Sequence, residues 1–159
     1  MKAKISLVAI VMAGFILFAS CGSTSSSSKS TTSSASTSTA QTQGYNTGSA
    51  VGTSLLGLYQ QYKTTKTLDF KNANTYLQLM TLATQVSTIK QNYQNPTFYA
   101  GFTKGAVVGS QQTVNQSNVS GVINALVGLD LSGILSGNSS NVSSSVLNGL
   151  TNIFNLFGK

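Results

Sequence analysis

The sequence predicts an all-α protein, a small bundle of four to five helices behind a disordered Ser/Thr-rich linker. Three observations predict it. Apolar residues in the second half recur every three or four positions, which is the helical period and not the strand period. No segment makes a convincing strand. The only proline, Pro96, follows Asn95, a pair that reads as helix N-cap and first helical residue.

The first predicted helix spans about Thr47 to Lys63, where Val51, Leu55, Leu58, Tyr59 and Tyr62 share a face. Thr64 to Leu68 is a loop. The second helix spans about Phe70 to Tyr93. Tyr76, Leu79, Met80, Leu82, Ala83, Val86, Ile89 and Tyr93 give it a wide apolar stripe. Asp69 is its expected N-cap, and Leu68 is placed to pack on its first turns. The third helix starts at Pro96 and is expected to reach about Gln112, before a turn over Val114 to Asn118. The fourth covers about Val119 to Val127, with Val122, Ile123 and Leu126 inside and Gly128 as its stop. Asp130 caps a short turn through Leu135, closed by Gly137. The last helix, Ser144 to Phe157, buries Val146, Leu150, Ile153, Phe154 and Phe157. Gly158 ends it, and Lys159 suits the negative end of the helix dipole.

Two rows of glycine stand out. Gly44, Gly48 and Gly52 are spaced by four, as are Gly101, Gly105 and Gly109, and the stretches "GYNTGSAVGT" and "GFTKGAVVGS" align. Each glycine inside a helix costs about 1 kcal/mol relative to alanine. Three on one face need a compensating gain, and close backbone approach by another helix supplies one. The simplest expectation is that the first and third helices pack through these faces as pseudo-equivalent halves. A glycine zipper that enters a membrane or joins two chains is the sharper reading, and Gly44 to Gly52 as plain loop is a third. Lys104, Thr103 and Gln111 speak against membrane entry, as does the lack of an apolar run of about 20 residues after Cys21. A weaker echo links "SNVSGVINAL" from Ser117 to "SNVSSSVLNGL" from Ser140, read as two similar helix entries.

The start of the chain has a different character. Met1-Lys2-Ala3-Lys4 is basic, Ile5 to Phe18 is almost wholly apolar, and Ala19-Ser20 are small, the order of an export signal. A helix of about 14 residues covers roughly 21 Å, short of a hydrocarbon core of about 30 Å. Phe18-Ala19-Ser20-Cys21 resembles the lipobox of bacterial lipoproteins, with Phe18 in place of the usual aliphatic residue. The resemblance covers the signal alone. It implies a diacylglycerol on the Cys21 sulfur, cleavage after Ser20 and acylation of the new amine. Two or more acyl chains give stable anchoring where one does not. Gly22 in place of Asp implies sorting to the outer membrane, facing the periplasm, with the cell surface as the alternative.

Ser23 to Gln43 is nearly all Ser, Thr, Ala and Gln, with Lys29 its only charge. Such a tract buries too little apolar surface to offset the entropy of ordering. The expected division is therefore a signal at 1–20, a lipidated cysteine and tether at 21–43, and a helical domain at 44–159.

Composition narrows the activity. The whole chain carries +7; without residues 1–20, seven lysines stand against two aspartates, +5. There is no Arg, and the lysines are spread out, so no nucleic-acid partner is expected. There is no His or Glu, Cys21 is the single cysteine, and Asp69 and Asp130 are the only acids. Acid–base catalysis and metal binding need clusters of such groups, so no catalytic residue, cofactor, metal or small-molecule substrate is expected. A serine–lysine hydrolase is the surviving enzymatic reading.

The expected function is a non-catalytic, lipid-anchored envelope module that binds the membrane through Cys21. It docks a protein partner, or a second copy of itself, by its helices. The glycine faces and the last helix are the expected docking places, the latter if Leu147, Leu156 and Phe157 stay uncovered by the chain itself. A membrane-remodelling or permeabilising protein is the runner-up.

Overall fold

A computed structural model of the chain describes residues 32–136 and 144–157, with side chains from residue 39 onward. The export signal, Cys21, the first part of the tether, Gly137, the second "SNV" entry, Gly158 and Lys159 lie outside the described residues. Six α-helices follow in order: α1 (Thr32–Thr65), α2 (Ala73–Asn92), α3 (Pro96–Gly109), α4 (Val119–Val127), α5 (Ser132–Leu135) and α6 (Ser144–Phe154). A single 3₁₀ turn, Gln116–Asn118, precedes α4. The described residues contain no strand, so the protein is an all-α bundle.

The scaffold is the 34-residue helix α1, about 51 Å long at 1.5 Å per residue. α3 lies along its middle, from about Gln41 to Thr53, and α2 packs on it. α2 runs antiparallel to α1: the Thr75 hydroxyl donates to the Gln61 side-chain carbonyl at 2.8 Å, while Thr88 and Thr42 border one trough at the other end. α4 bridges α2, α3 and α6, and α5 rests on α2. One apolar core joins them, with Val51, Leu55, Leu79, Phe98, Phe102, Leu126, Leu150 and Ile153 almost wholly excluded from water. At the C-terminal end, Phe154 meets Tyr59 and Tyr62 at ring-centroid distances of 5.8 and 5.3 Å, and Phe157 meets Tyr59 at 5.0 Å. Such offset and tilted pairs suit the ring quadrupoles.

Four boundaries differ from expectation. α1 begins at Thr32, not Thr47, so residues 32–43 of the expected tether are helix. Their Ser/Thr composition disfavours a free helix. Extending a helix already nucleated and packed by Gly44, Val51 and Leu55 costs far less than starting one. α2 is capped by Asn72, not Asp69: its side chain accepts from the backbone N–H groups of Asn74 (2.9 Å) and Thr75 (3.4 Å). Asp69 instead accepts from the Lys71 N–H at 3.0 Å, forming the turn before it. α3 stops at Gly109 because Gln111 and Gln112 take positive φ, 51° and 63°, which turns the chain out of the helix. α6 ends at Phe154, and Phe157 is buried in the turns beyond it.

Other entries match. Asn95 caps α3 with Pro96 inside it, its side chain accepting from Thr97 N–H at 2.9 Å. α4 has the expected bounds, with Gly128 as its C-cap. Asn118 stands at its entry, but its side-chain amide donates to the Leu156 carbonyl at 2.9 Å, fastening the end of the chain to α4.

Candidate docking surface

The glycine rows of α1 and α3 face each other. A Cβ placed on any of the six would fall within 3.0 Å of backbone on the opposite helix, a separation that real Cβ atoms do not show. At Gly52, for example, it would lie 2.5 Å from the Ala106 carbonyl oxygen. The axes therefore approach more closely than the roughly 8–10 Å of ordinary helix pairs. The α-hydrogen in the Cβ position points at that carbonyl, a Cα–H···O contact of order 0.5–1 kcal/mol.

The contacts are reciprocal. Gly44 meets the carbonyl of Phe98 and Gly101 that of Gln41. Gly48 meets Phe102, and Gly105 meets Tyr45. Gly52 meets Ala106, and Gly109 meets Ser49. In every case the acceptor lies three residues before the glycine that matches the donor in the aligned stretches. The helices are thus parallel and related by a local twofold axis that runs between them. At the end of the seam, the Thr53 hydroxyl donates to the Gly109 carbonyl at 3.3 Å.

That axis maps one flank of the pair onto the other. Val51 corresponds to Val108, and Phe102 to Tyr45. Val51 and Phe102 are 0 % exposed, in the core. Val108 is 57 % exposed and Tyr45 39 %. One flank is therefore filled by the chain itself, and the matching flank is open. A groove of about 450 Å³ runs along it, lined by Tyr45, Thr103, Lys104, Val107, Val108 and Gln116. Its wall is largely aliphatic and aromatic, and among the described residues Lys104 is its one charge.

Two further recesses differ in chemistry. A trough of about 720 Å³ between α1 and α2 is bordered, among the described residues, by Thr, Gln and Asn side chains, including Asn46, Thr47 and Gln85. A smaller one, of about 210 Å³, lies between α2 and the α5 region, with Lys90 and Asp130 on its rim. The Asp130 carboxylate accepts from the Ser132 hydroxyl (2.6 Å) and backbone N–H (3.1 Å). These bonds, the hydroxyl's first, hold its pKa below the ordinary value.

The six glycines meet in one seam, while Asp69 and Asp130 stay apart as local turn formers. Towards the C-terminus, Phe157 is buried and Leu147 and Leu156 are half-buried, so the chain itself covers much of all three. Tyr45 and Val108 were missed as surface residues. The aligned stretches could have found them, since a twofold pair has two equal flanks and a chain of this size fills one.

Among the described residues, no helix is long and apolar enough to cross a membrane. No family model, curated protein or solved structure matches the chain.

Proposed function

We propose that this chain is a non-catalytic helical module, held at the bacterial envelope by lipid on Cys21, that docks another protein. The observation that carries the docking role is the open flank of the α1–α3 pair. Tyr45 and Val108 border one groove there while their twofold mates are wholly buried. Exposed apolar residues gathered in a groove favour a partner in a way that scattered ones do not. The anchor rests on the lipobox-like Phe18-Ala19-Ser20-Cys21, and on the same resemblance the protein faces the periplasm from the outer membrane.

Two measurements test the parts separately. A palmitate analogue fed to the cells should label the protein and not the Cys21→Ala variant, which should leave the membrane fraction. Crosslinking in native membranes should trap a protein neighbour at exposed positions of the helical domain. Release of dye from vesicles by the unlipidated domain would favour membrane permeabilisation and overturn docking as the function.

A further inference from the structure

We infer that the open flank of the α1–α3 pair receives one amphipathic helix of a different protein, with aliphatic side chains against Tyr45 and Val108 and a carboxylate against Lys104. The inference rests on the docking role proposed above and names the partner's chemistry.

The shape follows from the twofold axis. On the filled flank, α2 packs antiparallel on α1 and faces Thr47 through Gln85 and Thr88; Thr47 and Val51 are 5 % and 0 % exposed. The axis carries Thr47 and Val51 of α1 onto Lys104 and Val108 of α3. Those two residues line the groove. The groove is thus the counterpart of a surface that already accepts a helix. Its matching occupant lies antiparallel to α3. Aliphatic residues one turn apart on such a helix meet the wall, as in other helix-in-groove complexes.

The charge separates another protein from a second copy. Lys104 is exposed and, among the described residues, is the only charged one lining the groove. An occupant that closes over the ammonium is favoured if it supplies a negative charge, which avoids leaving that group desolvated. This chain has two carboxylate side chains, Asp69 and Asp130. Neither lies in a helix, and both are engaged in their own turns. None of the six helices could answer Lys104 from a second copy. An acidic helix from elsewhere does, and complementary charge also selects among partners.

The test uses the full-length chain in the cells that make it. A benzoylphenylalanine photocrosslinker replaces Tyr45, with Leu77 on the outer side of α2 as the comparison position; both are exposed. The adduct is mapped by mass spectrometry. The expected result is an adduct at position 45 on an amphipathic helix of another protein, with Asp or Glu beside the crosslinked residue. Lys104→Glu should lower its yield about tenfold, equivalent to about 1.4 kcal/mol, and Lys104→Arg should preserve it. Matching thermal melts of these variants show that the fold is intact. An adduct to a second copy, to lipid, or to a segment without carboxylates would overturn the inference, as would indifference to Lys104→Glu. If position 45 is silent but position 77 traps a protein, the inference fails and the docking role stands. If neither traps a protein, both fail.

Discussion

Gly48 of α1 rests against the carbonyl of Phe102 in α3 so closely that a methyl group has no room between them. The obstacle is backbone and not a side chain that can turn away. Gly48→Ala and Gly105→Ala should each destabilise the fold by about 1–3 kcal/mol, the usual range for overpacking. Gly133→Ala is the control, because a Cβ there meets nothing within 4 Å. It should be neutral, or stabilising by up to about 1 kcal/mol. Urea unfolding followed by far-UV circular dichroism decides. A neutral Gly48→Ala would mean that the seam is loose.

The seam was readable because spacing alone carried it: glycine at every fourth place fixes a face, and two aligned rows name the mates. The start of α1 was not readable for the converse reason. Nothing in the Ser/Thr tract favours a helix locally. Its order comes from the packed turns that follow, where the Gln41 carbonyl already meets Gly101. Tertiary contact overrode propensity there. The open flank was hidden for a third reason. Val51 and Val108 are chemically alike in sequence, and only the packing of the other helices on one flank separates a core residue from a surface one.

The entry to α2 shows how a cap can be misread. Asp69 and Asn72 both favour N-caps, and they stand three residues apart. The side chain of Asn72 satisfies two otherwise unpaired N–H groups of the helix. Asn72→Ala should therefore cost about 1 kcal/mol, and Asn95→Ala at the start of α3 about the same. Asp69→Ala, which breaks only the bond to Lys71 N–H, should cost less than either. Equal losses at Asp69 and Asn72 would show that the turn and the cap form one unit.

The last helix is structural. Phe154 is buried and touches Tyr59, Tyr62 and Phe157. Phe154→Ala should lower stability by about 3–5 kcal/mol, a large share of the roughly 5–15 kcal/mol of an ordinary domain. Leu135→Ser, at a side chain 52 % exposed, should stay within about 0.5 kcal/mol. Thermal melts of the two variants give the comparison. A small loss at Phe154 would show α6 to be separable from the bundle.

Asp130 should give the fold an acid-sensitive corner. Its folded pKa lies below the ordinary value, chiefly through the Ser132 hydroxyl and then the Ser132 N–H. Depression of a carboxylate pKa means that the folded state favours the charged form. The resulting stability is fully present above the unfolded pKa, about 3.9. It is lost as the pH falls from there through the lower folded pKa. Protonation weakens the two bonds that hold the entry to α5, so this short helix should loosen first. The chain has no histidine to add a transition near neutrality. A carboxyl-carbon NMR titration should place the Asp130 midpoint below that of the same residue in an unfolded peptide. Ser132→Ala should move it back up, because it removes the larger cause and leaves the backbone bond. A midpoint unmoved by Ser132→Ala would assign the depression to the backbone N–H, and the hydroxyl contact at 2.6 Å would carry little of the charge preference.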